Sequence, residues 1–588
     1  MDAQVGPTKL GKLVGFLFVV ACVAAAGFLF RRTLFPKRAE PGGKKIAMPA
    51  PAPGKAAPAG QPTGPEAPAD IGGIGLTAKD FKYVPPGKPP EVKGVSNYTW
   101  DNAAKIVQFP INVWIGWLPI VAANHGFAPS KESVFFQKYG FQVSLKLIDD
   151  PVVARDSFAS GQSHVLWGTL DMMALFAPEL MKDTRTAPRI FQQIDWSSGG
   201  DGIVVRSNIA TVKDLRGKTI VYAQNSPSQY FITNLLVQAG IQPSAVKSKY
   251  TATAFEAATA FVADRSVDGC VSWAPDIYKI PEKVKGTRIL TTTAAANKVI
   301  ADVWAVRADF VRDHPDIVEG LVTGIFEGMR MLKNDASKGQ AVQWMAEGYG
   351  MSVDEIKGML NDAHATNFAE NKDFFLNPNS PANFERTWKN INFVYRELGL
   401  ITGTPIQFYE VMDTSVINKL EEKKMFADET GETPSFVPTE YRKLAGKAEK
   451  PPITQTIRIN FYPNSSNIYE PQHDDLGNPV ANTLYDPNAD ATIEKAGRLA
   501  GQFERAVIAV VGHTDSSMKG RVTREAVERL SKDRAQAVVT ALIKKFKFDP
   551  NKFVVAGKAW DEPFDPADAL NQMLNRRVEI SVYPPEEK

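Results

Sequence analysis

Cysteine is almost missing from this chain: its 588 residues hold two, Cys22 and Cys270, and the first lies inside an apolar run. No intramolecular disulfide can support the soluble part, and cysteine usage says nothing of the redox compartment. The six histidines are scattered without partners at metal-ligand spacing, so no metal centre is expected. Glycine patterns of the Walker or dinucleotide type are absent, and no cofactor is expected. Neither sign of charge is in excess; a formal net charge of +3 gives no footprint for nucleic acid. His513 precedes Asp515, but no Ser or Cys nucleophile pattern accompanies them, which argues against an enzyme.

Long apolar runs are scarce as well. Leu13 to Phe30 is uncharged and counts 18 residues, just enough for one membrane-spanning helix, with Lys9 and Lys12 before it and Arg31 and Arg32 after it. Three fates fit it: an uncleaved signal anchor, a cleaved signal peptide, or a lipoprotein signal cut before Cys22, since Val19-Val20-Ala21-Cys22 forms a loose lipobox. The anchor is preferred, because the chain stays apolar from Cys22 to Phe30 where a lipid tether should turn polar. Residues 1–12 are then a short cytoplasmic terminus, and residues 31–99, rich in Pro, Ala and Gly, an extended tether. A second break, residues 428–453 with Pro434, Pro438, Pro451 and Pro452, divides a middle domain, 100–427, from a C-terminal one, 454–588.

The middle domain alternates strand-like and helix-like segments, the pattern of an α/β fold. Lys105 to Phe109, the alternating Phe141 to Leu147 and Thr219 to Tyr222 read as strands; Val152 to Ser160 and Ser226 to Gly240 read as helices. Ser226 and Ser228 open the second helix beside Pro227, where exposed amides can hold an anionic group. Trp114, Trp117, Trp167, Trp196, Trp273 and Trp304 all lie here, and acids accompany them: Asp171, Asp195, Asp201, Asp276 and Asp302. Core filling explains most tryptophans, while an aromatic box with carboxylates suits a cationic or zwitterionic ligand.

Trp117-Leu118-Pro119, Ala122-Ala123-Asn124-His125-Gly126, Gly140 to Val143, Phe158-Ala159-Ser160-Gly161, Val212 to Lys218 and Val271-Ser272-Trp273-Ala274-Pro275 follow in order. Through them the middle domain resembles the type II periplasmic solute-binding proteins of the nitrate, sulfonate and taurine branch. The resemblance implies two α/β lobes closing on a small ligand without catalysis, with Trp117, Trp167, Asp201, Ser226, Ser228, Trp273 and Asp302 as candidate ligand-binding residues.

In the C-terminal domain the apolar run Ala506 to Val511 reads as a buried strand that ends at Gly512 and delivers His513, Thr514 and Asp515 to a sheet edge. A helix is expected from about Thr523 to Phe546, with Arg534 on its apolar stripe, four residues after Leu530 and four before Val538. Asp515 and Arg534 either pair with each other or offer an acceptor and a bidentate donor to a small zwitterion. Ile457 to Phe461, Gly512-His513-Thr514-Asp515, Leu530-Ser531-Lys532-Asp533-Arg534-Ala535, Gly557 and Asn575 to Ile580 together resemble the OmpA-like peptidoglycan-binding domain. The resemblance implies that Asp515 and Arg534 bind the diaminopimelate of a peptidoglycan stem peptide. Arg576 and Arg577 open an alternating strand and read as mainly structural.

The expected whole is a two-lobed α/β receptor domain plus a smaller α+β OmpA-like domain behind one N-terminal transmembrane helix. It is expected to be an inner-membrane, single-pass protein with its bulk in the periplasm, capturing a small polar or zwitterionic solute for an ABC permease or a sensor. The alternative is a MotB-type stator component with a regulatory ligand-binding domain, but such stators carry a carboxylate in the membrane helix and Leu13 to Phe30 has none. The basic residues after Phe30 would by themselves keep the bulk of the chain in the cytoplasm. Peptidoglycan binding requires the other side, and several coupled motifs outweigh one charge count.

Overall fold

The computed structural model of the chain describes residues 73–446 and 451–583, which fall within one compact unit, 67–588. The expected membrane span at 13–30 lies outside the described residues, among which no helix is long and apolar enough to cross a membrane.

The middle domain has two lobes because the chain crosses between sheets twice. It builds β1 (Ile106–Ile111), β2 (Gln142–Leu147), β3 (Val165–Thr169) and β4 (Pro188–Ser197), then crosses to β5 (Asp201–Arg206), β6 (Thr219–Ala223), β7 (Lys247–Thr251), β8 (Gly269–Trp273) and β9 (Thr287–Thr292). It returns with β10 (Ala301–Arg307) and β11 (Ala363–Ala365). The first lobe holds the parallel pair β1-β2 and a sheet ordered β11-β4-β10-β3; the second holds one sheet ordered β7-β6-β8-β5-β9. β3, β8 and β10 are buried along their whole length, as strands covered on both faces must be.

Two of the segments read as tethers are in part laid down on the fold. Leu76 is 1% exposed and packs with Ala257, Phe261, Val267 and Ile277 of the second lobe. Thr77 donates to Asp276 through its amide and its hydroxyl, and Val84 bridges to Tyr250. Farther on, Arg155 Nη1 reaches Pro90 O at 2.6 Å and Arg307 Nη2 reaches Ser96 O at 2.9 Å, both in the first lobe. Residues 73–99 are therefore a strap across both lobes. Composition suggested otherwise because prolines dominate it, whereas a few apolar side chains and buried arginines decide where it lies. In the second break, Leu444 of the Tyr441–Ala445 helix packs on Ala509, Val554 and Tyr583.

The C-terminal domain comprises β12 (Ile453–Ile457), β13 (Val507–His513), β14 (Phe553–Gly557) and β15 (Arg577–Tyr583) in the order β12-β15-β13-β14, with the Ala489–Gln502 and Arg524–Phe546 helices packed on it. Gly512 and Gly557 are partners on adjacent parallel strands. A Cβ at Gly512 would stand 1.9 Å from Ser531 O, and one at Gly557 2.3 Å from Glu528 O. Two glycines side by side let the Arg524–Phe546 helix touch the sheet.

This domain docks on the middle one. Gln502 Oε1 accepts from Asn234 Nδ2 and Gln238 Nε2, Gln455 Nε2 donates to Gln238 Oε1 at 2.8 Å, and Arg386 Nε meets Glu494 Oε1 at 2.8 Å. Asn234 and Gln238 belong to the Pro227–Gln238 helix of the second lobe, and Arg386 to the Phe384–Glu397 helix.

Candidate functional site

A cavity of about 800 Å³ opens in the C-terminal domain where β13 ends, and His513, Asp515, Arg534, Arg576 and Phe461 all line it. Asp515 Oδ1 accepts from Ser517 N at 2.7 Å, which closes the turn after the strand, while Oδ2 meets Arg576 Nε at 3.2 Å. Arg534 sits on the Arg524–Phe546 helix, which Thr523 caps by accepting from Ala526 N. Its Nε donates to Ser465 O at 3.1 Å and its guanidinium lies 4.9 Å from the Phe461 ring centre. Asp515 and Arg534 thus face one cavity without pairing to each other, and the terminal amino groups of Arg534 have no acceptor among the described residues. Arg577 is buried against Glu579 and Glu562 O, as a structural residue should be. Arg576 departs from that reading: exposed, it holds Asp515 and lines the cavity. His513 is held near 4 by burial and by the Arg577 charge, so it is neutral at neutral pH.

The second candidate lies where the middle domain crosses between lobes. Asp195 on β4 and Asp302 on β10 stand directly opposite each other, and Thr169 on β3 flanks Asp302 from its other side. Trp114 Nε1 donates to both oxygens of Asp195, at 3.2 and 3.3 Å. Tyr349 OH donates to the Asn112 and Trp114 carbonyls, which fixes the turn bearing that indole. From the second lobe, Asp201 opens β5 opposite Trp273 of β8; Ser197 Oγ donates to Asp201 Oδ2 at 2.7 Å. Asp171 accepts from Tyr395 OH at 2.9 Å and Asp362 from Tyr278 OH at 2.8 Å.

All five carboxyls are buried, and burial pushes each one up: Asp171 and Asp362 to about 6, Asp201 to about 7, and the opposed pair Asp195 and Asp302 well above the usual carboxylate range. The charges that next act on Asp302 are those of Asp195, Asp201 and Asp171. Asp201 Oδ1, Asp302 Oδ2 and Asp362 Oδ2 have no hydrogen-bond partner. No group of three or more His, Cys, Asp or Glu among the described residues is arranged to hold a metal ion.

Of the seven candidate ligand-binding residues, Asp201, Trp273 and Asp302 come together here, joined by Trp114, Asp171 and Asp195 from the tryptophans and acids named with them. Trp117 and Trp167 are core side chains with their indole N–H groups committed to Asn112 Oδ1 and Ile148 O. Ser226 Oγ donates to Ala223 O and makes no side-chain cap, whereas Ser228 Oγ is buried and unpartnered at the same helix start. Asp276 is turned to the strap instead. Asp195, Asp171 and Trp114 carried one usable signal, acids and tryptophans gathered in the same stretches of chain; Asp362 carried none, because its place beside Tyr278 depends on distant elements.

Residues 126–338 match the model of the NMT1/THI5 like family and residues 461–577 match that of the OmpA family. The chain is 29% identical over 127 residues to outer membrane protein Omp38 of Acinetobacter baumannii, which covers 21% of this chain and 30% of the relative. It is 24% identical over 203 residues to the taurine-binding periplasmic protein of Escherichia coli, covering 34% of this chain and 60% of that one. The chain thus spans under two thirds of either relative. Among solved structures, the periplasmic aliphatic sulphonate binding protein SsuA of Escherichia coli aligns with 52% of this chain and 96% of its own, at 15% identity and a TM-score of 0.39. The desulfurization enzyme DszB aligns with 54% and 99% at 15% identity and a TM-score of 0.37.

Proposed function

We propose that a chain joining an NMT1/THI5-like solute-binding domain to an OmpA-family domain serves as a receptor fixed in the cell envelope. Residues 13–30 tether it to the inner membrane, residues 100–427 capture a small polar solute between two lobes, and residues 454–588 hold the cell wall. The captured solute passes to an ABC permease or a sensor. The observation that carries this reading is the cavity that Asp515 and Arg534 share without neutralising each other. A zwitterionic amino-acid centre, as at the free end of diaminopimelate, offers an ammonium to Asp515 and a carboxylate to the open fork of Arg534. Arg576 positions the Asp515 carboxylate for that role.

Co-sedimentation with purified diaminopimelate-type sacculi tests the grip. Asp515→Ala and Arg534→Ala are each expected to weaken binding by tenfold or more, about 1.4 kcal/mol. Equal retention of both variants and the parent protein removes these residues from the site. For the solute, ligand-induced stabilisation measured in Trp273→Ala and Asp302→Ala should be lost in at least one. Protease protection of the C-terminal domain in intact spheroplasts would place it on the wrong side of the membrane for this function.

A further inference from the structure

Five carboxyls are buried around the crossing between the lobes, and three of them, Asp201, Asp302 and Asp362, each keep an oxygen that no group of the fold bonds. Asp171, Asp195, Asp201 and Asp302 are each at least nine-tenths buried, and after burial itself the strongest influences on Asp302 are the other acids, Asp195, Asp201 and Asp171. Two ionised carboxylates directly opposed on adjacent strands would repel, and Asp195 and Asp302 avoid this by holding on to protons and sharing a hydrogen bond. Ion pairs elsewhere in the first lobe show the alternative: Arg307, fully buried, is matched by Asp309 two residues away.

A second feature points into the same place. Trp273 stands opposite Asp201 across β5 and β8 and is buried, and its indole N–H faces that carboxyl without closing a hydrogen bond. Thr169 Oγ1, beside Asp302 on β3, is buried and unpartnered too. Buried polar atoms in folded proteins are nearly always satisfied, so a cluster of open ones points to a bound group that would supply the missing bonds. The open carboxyl oxygens, Asp201 Oδ1 and Asp302 Oδ2, can accept donors, and a cation supplies them while favouring the ionised form that burial otherwise suppresses. The carboxyls are not gathered at metal-ligand spacing, which favours a ligand that spreads its N–H groups over several ångströms.

We propose that the cleft binds a compact organic cation, a protonated amine or amidine, whose N–H groups bond Asp302 Oδ2 and Asp201 Oδ1. This deepens, and rests on, the reading of the two-lobed domain as a solute receptor. A sulfonate or nitrate would find no Lys or Arg among the groups that act most on Asp302; of the two hydroxyls expected to receive an anionic end, Ser226 is committed to Ala223 O, while Ser228 stays open.

Isothermal titration of the full-length protein in detergent tests it, with putrescine and agmatine as cationic probes, taurine as zwitterion, ethanesulfonate as anion, and magnesium chloride as inorganic cation. Putrescine or agmatine is expected to bind, and Asp302→Asn to weaken that binding at least tenfold. The same variant is expected to melt no lower than the parent without ligand, which separates a lost contact from a lost fold. Asp276→Asn, on a carboxyl held by the strap, is expected to bind as the parent does. Unchanged affinity in Asp302→Asn, or magnesium binding in place of the amines, overturns the proposal. If ethanesulfonate or taurine binds and the amines do not, the receptor reading stands and the cation assignment falls. If no probe of any class binds, both fall.

Discussion

Arg505 of the C-terminal domain donates through Nη1 to Ser198 Oγ at 3.0 Å, one residue past Ser197, whose hydroxyl holds Asp201. Its Nη2 meets Glu432 at 2.8 Å, and the neighbouring Glu504 accepts from Asn297 Nδ2 at 3.3 Å. The domain assigned to the wall therefore touches both segments by which the chain passes between lobes, 197–201 and 293–300. Replacing Arg505 with Ala should cost about 1 kcal/mol of stability, since the side chain is one-third exposed and loses one neutral and one ionic partner. Amide exchange should quicken at residues 197–201 while sedimentation with sacculi stays as in the parent. Unaltered exchange there would mean that the contact does not hold the crossing segment.

Gly116 is the position at which one methyl group should disable the proposed solute site. A Cβ there would stand 1.8 Å from Asp195 Oδ2 and 2.6 Å from Trp114 Nε1, so Gly116→Ala must break the bond between those side chains. The expected loss is about 2 kcal/mol in urea denaturation, with weaker solute binding. A variant as stable as the parent would show that Asp195 can move aside freely.

The carboxyl cluster sets a pH dependence with a definite sign. Burial raises the folded-state values, so between the ordinary carboxylate range and about 7 the folded protein keeps protons that the unfolded chain has lost, and stability falls as pH rises through that window. Asp302→Asn removes the acid that burial and the neighbouring Asp195, Asp201 and Asp171 hold protonated in the folded state. Its advantage over the parent should widen from about pH 5 to about pH 8, by on the order of 2 kcal/mol. His164 and His513, lowered to about 4 by burial, and Lys552, lowered to about 7, act in the opposite sense but cancel in the comparison. Thermal melts of both proteins without ligand check it; a gap that narrows with pH contradicts it.

Leu76 tests the strap. Its side chain is buried among Ala257, Phe261, Val267 and Ile277, so Leu76→Ala should cost about 3 kcal/mol by lost burial and the cavity left behind. A tether without a seat would tolerate the change within about 0.5 kcal/mol.

Much of the fold was legible before any coordinates. The expected strand at Phe141 to Leu147 is β2, the one at Thr219 to Tyr222 is β6, and the helix expected from about Thr523 runs Arg524–Phe546. These follow from period-two and period-3.6 apolar patterns and from a Thr cap, which act over a few residues. The buried acid cluster proposed as the solute site was legible only in part. Asp201, Asp302 and Trp273 stand out as chemistry beside apolar strands, but Trp117 and Trp167 look the same in sequence and prove to be core.

The residues by themselves determined the two domain types, the elements that build them, and the pair Asp515 and Arg534, because spaced motifs and local periodicity are written in short stretches of chain. Only the tertiary structure decided that Arg576 and not Arg534 pairs with Asp515, that residues 73–99 strap both lobes, and that five acids meet. Asp195 and Asp302 are 107 residues apart and become neighbours through one antiparallel register; their charges are a surface detail until β10 returns beside β4. Strand pairing at long range and burial, which no local pattern encodes, turn ordinary aspartates into a cluster that keeps its protons.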